Sequence, residues 1–461
     1  MAGQAFLLPA TPVTTLEEYF RQGGGQGVDV AADLGPARTI KELTASGLRG
    51  RGGGGFVTGL KWDSIRKAGG GTHYVVCNAA EGEPGTFKDR ALMRANPYQA
   101  VEGLAIAALC VGASSAYFGL KASFGTEREA VTRAIQEMDG AGLLADVSFT
   151  VVAGPEEYLF GEEKALLEVI EGKEPLPRLF PPFQHGLFAS GPQQGWEATT
   201  PSGGGTPQAN PTLVNNLETL SNVPHILARG ADWFRSMGTE GSPGTICATV
   251  VGDVSRPSVL EVEMGTALAD VIDQAGGPRP GRQFKAAFSG VANPVLTPDR
   301  FSTPLTYEDM QAAGSGLGAA GFALYDNTAC MVEVARAFSR FLYVESCGQC
   351  RSCKFGSGEI TRALERLEAG DGTELDIEYI GKRLRSVTDS VRCYLATEEQ
   401  LVVASILRDF SDEFAEHLEG RCRVPERRTI LVPKVVDLAG GTVVYDEKQP
   451  LKQPDWTYSE A

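Results

Sequence analysis

Short apolar runs alternate with helically spaced segments along the first half of this chain. Residues 73–77 (His-Tyr-Val-Val-Cys) read as a buried strand and 98–108 as a helix with apolar positions three and four apart. Residues 116–120 predict a strand, 126–138 a helix, 147–152 a strand and 157–171 a helix. Strand and helix in this rhythm predict parallel βαβ units. A helical lead-in precedes them over residues 1–45, and a Gly/Pro-rich stretch at 190–211 interrupts them as a long loop, a kind that is usually functional or mobile. Residues 245–251 alternate as a strand, 258–262 form another, 268–274 a short helix and 283–288 a further strand, together a small α+β module. From residue 328 the spacing is helical, with one long helix expected over 398–417. Residues 430–432 and 442–445 belong to a tail that resembles an extension.

The 461 residues allow about three domains, and 42% hydrophobic with 22% charged residues describes an ordinary globular chain. The formal charge of −16 opposes binding to phosphate backbones, so nucleic acid is not an expected partner. No apolar run approaches the roughly 20 residues of a spanning helix, and the first residues lack the pattern of a signal peptide. Nine cysteines, an odd number, argue against a disulfide scaffold and for a reducing, cytoplasmic setting.

Four of those cysteines carry the strongest chemistry. Cys347, Cys350 and Cys353 form two Cys-x-x-Cys pairs sharing a member, and Cys393 is the nearest candidate for a fourth thiolate. A run of this kind points to a 4Fe–4S cluster; a four-cysteine zinc site is the alternative, although zinc ligands more often come as two separate pairs. Cys77, Cys110, Cys247, Cys330 and Cys422 stand alone and read as small packing residues.

A glycine loop, Gly50 with Gly52 to Gly55 around Arg51, lets backbone N–H groups approach a phosphate or an aromatic ring. It is neither a dinucleotide fingerprint nor a P-loop, and a flexible linker shares its composition. Lys61 and Trp62 follow directly. The strand at 73–77 runs into Asn78, Glu81 and Glu83, where a doubly wound sheet binds its ligand and where carboxylates can accept ribose hydroxyls. The competing account is a solvated, helix-capping loop. Glu162 and Glu163 open another helix, which favours the dipole with or without a ligand.

Five segments now stand in order between residues 47 and 357: GLRGRGGGGFVTGLKW, CNAAEGEPGTFKDR, GEEKALLEVIEGKEPLPRLFPPF, PTLVNNLETLSNVP and ESCGQCRSCKFG. In these the chain resembles the NADH-binding flavin subunit of respiratory complex I and the related diaphorase subunits of NAD-linked hydrogenases and formate dehydrogenases. The likeness extends to about residue 420. It implies an α/β fold: a Rossmann-like FMN/NADH domain with its lead-in (1–240), a β-grasp, SLBB-type domain (241–325), a helical bundle carrying one 4Fe–4S cluster (326–420), and an extension (421–461).

By position, the resemblance places Gly50, Arg51, Gly52, Gly53, Gly54, Gly55, Lys61 and Asn78 beside the flavin. Glu81, Glu83, Tyr158, Gly161, Glu162 and Glu163 fall in the flavin and nucleotide pocket, with Lys61, Glu81 and Glu83 nearest the chemistry. Phe56 and Phe183 face adenine, and Asn215 and Asn216 the flavin phosphate. Leu395 joins the cofactor set, and Cys347, Cys350, Cys353 and Cys393 ligate the cluster. The implied reaction is NADH oxidation, or NAD⁺ reduction, through FMN to the cluster. The implied partners are a thioredoxin-like 2Fe–2S subunit and further iron–sulfur subunits, in a complex that is at most peripheral to a membrane.

The chain departs from the family at Ala80, usually Asp, at Gly154-Pro-Glu-Glu157 in place of Gly-Ala-Gly-Ala, at Phe180 in place of lysine, and at Ser64 in place of an aromatic. These changes remove an acceptor and a cation and add two carboxylates. They keep a second reading open: a relay or scaffold subunit that holds the cluster without oxidising NADH, or one that passes electrons from another donor through flavin.

Overall fold

A computed structural model describes residues 5–191, 208–424 and 428–459, so most of the loop expected at 190–211 lies outside the described residues. The chain divides into two compact units: residues 1–81, 88–247 and 261–265, and residues 82–87, 248–260 and 266–461.

The first unit is built on a four-stranded parallel sheet. Its strands are β1 (Tyr74–Asn78), β2 (Ser115–Lys121), β3 (Ser148–Gly154) and β4 (Thr212–Asn216), in the order β3-β2-β1-β4. β1 is central, and Val75, Val76 and Cys77 are fully buried because helices cover both faces of such a sheet. The helix Pro97–Val111 is buried almost throughout. Its one carboxylate, Glu102, accepts hydrogen bonds from the Tyr19 hydroxyl at 2.6 Å and the Gly25 and Val28 N–H groups at 2.8 and 2.9 Å. The lead-in, expected to be helical, forms Leu16–Arg21, Gln26–Leu34 and Pro36–Ser46, and this buried acid ties it to the sheet layer.

β4 is a strand that local sequence does not predict. Thr-Leu-Val-Asn-Asn is five residues long and ends in two asparagines, which depress β propensity; pairing along β1 supplies what the local sequence lacks. The helix expected over 157–171 is a short 3₁₀ turn, Tyr158–Gly161, then Glu163–Ile170. The break falls at Glu162, whose extended backbone and side chain cap the second helix.

Most of a second sheet, β6-β5-β8-β7, falls in the second unit; its strands are β5 (Thr245–Gly252), β6 (Ser258–Glu263), β7 (Phe284–Ser289) and β8 (Gly321–Asp326). β8 runs parallel to β5 and antiparallel to β7. All six of its residues are buried, so it shows no alternation and gives no strand signal in the sequence. Five helices follow: Met331–Glu345, Arg351–Ala369, Glu374–Leu384, Leu395–Asp409 and Ser411–Leu418. The single helix expected at 398–417 breaks at Phe410, and Ser411-Asp412-Glu413 then starts a new one with acidic residues in its first turn.

The tail is a hairpin, β9 (Val435–Ala439) and β10 (Thr442–Tyr445), turned by Gly440 and Gly441 at positive φ. Beyond it, Lys452 is buried and pairs with Glu345 at 2.9 Å, and the Trp456 indole donates to the Val344 carbonyl. Among the described residues no helix is long and apolar enough to cross a membrane.

Candidate functional site

The first unit gathers most of the flagged residues at one edge of its sheet. β1 leads into helices and β2 on one side, while β4 lies on the other, so the winding direction changes between β1 and β4. Asn78 and Asn216 are register partners at the carboxyl ends of those two strands, and Cys77 pairs with Asn215. This is the crevice where open α/β sheets bind ligands.

The glycine loop meets that edge. A Cβ on Gly52 would sit 2.9 Å from the Asn216 Cβ, so the loop approaches the strand end only because Gly52 lacks a side chain. Gly53 and Gly55 have φ of 116° and 60°, while a Cβ on Gly54 would meet nothing within 4 Å. The loop therefore has a packed face and an open face, which a plain linker would not. Arg51 is not on the open face: its guanidinium is fully buried and donates to the Thr245 and Pro243 carbonyls at 3.1 and 3.0 Å. Its side chain is a strut inside the unit.

Lys61 lies on the helix Thr58–Lys67, half-exposed, with Nζ 3.1 Å from Glu163 Oε2. Asn78 Nδ2 donates to the Gly161 carbonyl at 2.7 Å, linking the end of β1 to the 3₁₀ turn that contains half-buried Tyr158. Glu162 accepts the Lys164 and Ala165 N–H groups, and burial pushes its carboxyl up to about 7. Glu81 accepts the N–H groups of Asp89 and Arg90; burial, then the charge of Asp89, pushes it up to about 7 against the opposing pull of Lys88. Phe56 and Phe183 expose 60% and 50% of their surface, an unusual state for phenylalanine and suited to stacking on a planar ring.

Asn215 Oδ1 accepts the Trp62 indole N–H at 2.7 Å, and Asn216 caps the helix Leu217–Arg229. Beneath Asn216 lies a group to which sequence reasoning assigns no role. Lys88 Nζ reaches Asp89 at 2.8 Å, Glu218 at 2.9 Å and Asn216 Oδ1 at 3.2 Å, and Asn216 Nδ2 donates to Asp89. Lys88-Asp89-Arg90 reads in sequence as a solvated charged run, yet all three are buried. Nothing in residue spacing announces that.

Two flagged residues sit in the second unit. Glu83 accepts the Val291 N–H at 2.7 Å, which commits one of its oxygens to the backbone there. Leu395 is buried at the start of the helix Leu395–Asp409.

The four cysteines also belong to that unit, and all are of intermediate burial. Cys347 ends the segment after the first bundle helix, Cys350 is the N-cap of Arg351–Ala369, Cys353 lies in its first turn and Cys393 precedes Leu395–Asp409. Burial raises the Cys353 thiol, and the nearby charges of Cys393, Cys347 and Cys350 raise it further. Lys354 fixes the loop, donating to the Tyr343 and Ser346 carbonyls at 3.1 and 2.8 Å and to the Pro454 carbonyl of the tail. Gln349 Nε2 donates to Cys347 Sγ at 3.5 Å, the kind of contact that tunes a cluster's potential.

Residues 43–225 match the family described as the Nuo51 FMN-binding domain, 247–288 the SLBB domain, and 333–417 the NADH-ubiquinone oxidoreductase-F iron-sulfur binding region. The second F-type subunit of the NADH-quinone oxidoreductase of Rhizobium meliloti (strain 1021) is 37% identical over 419 residues, covering 88% of this chain and 95% of that protein. This chain belongs to the family of NADH-quinone oxidoreductase F-type subunits. The F-type relative in Streptomyces coelicolor is 36% identical over 418 residues, 88% of this chain and 89% of that one. Among solved structures, an NAD⁺-reducing [NiFe]-hydrogenase in the H₂-reduced state aligns with a TM-score of 0.77 at 30% identity, over 89% of this chain and 68% of that chain. The expected architecture is therefore present: a mixed α/β chain with a parallel sheet, an SLBB domain and a helical iron–sulfur region.

Within that family, this chain meets its departures at Ala80 and at residues 154–157 with packing and hydrogen bonds, while Ser64 and Phe180 are exposed. Ala80 is buried in an apolar cluster with Val76, Phe160, Leu166 and Leu167, and its N–H donates to Asn78 Oδ1. An aspartate there would bury a carboxylate against hydrocarbon. Gly154 lies flat against the Phe160 ring, where a Cβ would come within 2.2 Å. Glu156 accepts the Ser123 N–H, and its carbonyl accepts from Lys121.

Proposed function

We propose that this chain oxidises NADH, or reduces NAD⁺ in the reverse direction, as the flavin- and iron–sulfur-containing subunit of a larger oxidoreductase complex. The observation that carries the reading is the crevice between β1 and β4, where Asn78 and Asn216 stand in register beside a glycine loop with an open face. Held in that crevice, FMN would supply the exchange between a two-electron hydride and the single electrons a 4Fe–4S cluster handles, chemistry that no side chain here could supply.

The protein's part is position and charge. The Gly50 N–H closes the loop on the Phe56 carbonyl at 2.8 Å, Gly52 to Gly55 offer backbone N–H groups to the flavin, and Lys61 provides a cation beside it, held in place by Glu163. Asn78 keeps the end of β1 and the 3₁₀ turn together. Asn215 and Asn216, supported by Trp62, Lys88 and Asp89, bound the flavin-phosphate side. Glu81, Glu162 and Glu163 line the nucleotide side, with Phe56 and Phe183 as faces for adenine. Cys347, Cys350, Cys353 and Cys393 hold the cluster. We assign flavin and nucleotide to residues 1–240, the β-grasp domain to 241–325, the cluster to 326–420, and the extension to 421–461.

A single cluster passes its electron on, so a second iron–sulfur protein must dock; a thioredoxin-like 2Fe–2S subunit is the partner we propose, in a cytoplasmic complex. The test is direct. The full chain reconstituted with FMN and iron should show flavin absorbance that NADH bleaches, and NADH-dependent reduction of an artificial acceptor. An intact cluster without either response would replace this reading with the relay subunit, which the apolar setting of Ala80 favours.

A further inference from the structure

Cys330, His417 and Cys422 are distant in sequence and have no part in the site above. In sequence both cysteines read as isolated packing residues; the fold brings them together. The two Sγ atoms and a ring nitrogen of His417 all lie within 4.8 Å of one another. Cys330 and His417 are buried and Cys422 is half-buried. Cys330 is the N-cap of the first bundle helix, His417 lies in the last turn of Ser411–Leu418, and Cys422 follows that helix as the chain leaves the bundle.

The imidazole is oriented for a ligand. Its Nδ1 sits 3.0 Å from the Leu367 carbonyl. A carbonyl oxygen only accepts, so Nδ1 carries its proton, and Nε2 turns its lone pair toward Cys330 Sγ at 3.3 Å. Metal-bound histidines donate their other N–H to a carbonyl or carboxylate in this way, which fixes tautomer and ring plane. The metal-free account is a Cys330 thiol hydrogen-bonded to Nε2. In that account the Cys422 side chain also hydrogen-bonds to Cys330; an ion would further explain why two sulfurs and an oriented imidazole meet at one point. Glu413, one helical turn before His417, accepts the Met331 N–H and pairs with Lys285, and Glu416 pairs with Arg423, so both are engaged elsewhere.

We infer that Cys330, His417 and Cys422 bind a zinc ion whose fourth tetrahedral position is taken by water. Two thiolates and an imidazole are a donor set that suits zinc. The ion staples the chain at residue 422 to the start of the first bundle helix, within the second unit. Its place is separate from the cysteine quartet, and the inference does not depend on flavin or nucleotide binding.

The experiment uses the full chain, purified with its iron and dialysed against a weak chelator. Elemental analysis should give about one zinc per chain beside the iron, and X-ray absorption at the zinc edge should show two sulfur neighbours and at least one nitrogen. Cys422→Ser, at a half-buried position, should lower zinc occupancy about tenfold or more with iron unchanged; His417→Asn should do the same. Cys350→Ala should remove iron and leave zinc in place. Wild-type protein that stays zinc-free after incubation with zinc chloride would overturn the inference, as would zinc content unaffected by Cys422→Ser. A zinc shell of four sulfurs would overturn it whatever the variants do, since it would place the ion in the quartet.

Discussion

Lys88 shows how a single residue can organise a site from beneath. Burial alone would lower its ammonium, but Asp89, Glu218 and Glu81 outweigh that and hold it well above the ordinary lysine range. It stays charged at every accessible pH, so its removal leaves two buried carboxylates without their cation. Lys88→Met should therefore cost about 3–5 kcal/mol, read by urea unfolding. Lys61 behaves differently, because its ion pair with Glu163 is partly exposed and contributes little to folding. Lys61→Ala should leave the unfolding free energy within about 1 kcal/mol while weakening flavin retention at least tenfold, measured by flavin released on dilution. Legibility at this scale is uneven. The cysteine triplet and the glycine run announce themselves because their chemistry requires fixed spacing. Lys88 and Asp89 do not, since burial of a charge is set by partners such as Glu218 that lie far along the chain.

At the level of elements, strands flanked by clear turns are readable and fully buried ones are less so. β1 and β2 stand out as apolar runs; β8 hides because every residue is buried, and β4 because its asparagines serve the ligand edge and the helix cap. The switch point itself, which gives the candidate site its location, depends on β4 lying beside β1 and so is invisible to local pattern. Helix Leu395–Asp409 carries a second kind of hidden information. Glu399 is fully buried, Ser339 Oγ donates to it at 2.6 Å, and burial pushes its carboxyl up to about 8 from an ordinary 4.5. Between those values the folded state binds the proton more tightly than the unfolded chain does. Stability from this residue is thus greatest in acid and is lost as pH rises from about 4.5 to about 8. Glu399→Gln keeps an acceptor for Ser339 and removes the titration. Thermal midpoints of the variant should fall less than those of the wild type across that range, and parallel pH profiles would sink the assignment.

For the molecule as a whole, the last described residues are structural. The sequence favours a surface-packed extension, but Lys452 and Glu345 form a fully buried pair across a separation of 107 residues, and Lys354 binds the tail at Pro454. Lys452→Met strands Glu345 two residues before Cys347 and should cost about 3–5 kcal/mol. Iron should be lost from the variant under mild chelation that leaves the wild type loaded. The double variant Lys452→Met with Glu345→Leu should recover much of the stability.

That long-range pair also sets a schedule for synthesis. At about 5–20 residues per second, a ribosome needs about 5–20 s to travel the 107 residues from Glu345 to Lys452. Throughout that interval the thiolate loop exists without its clasp. Metallation in the cell should accordingly wait until Lys452 has emerged and closed on Glu345.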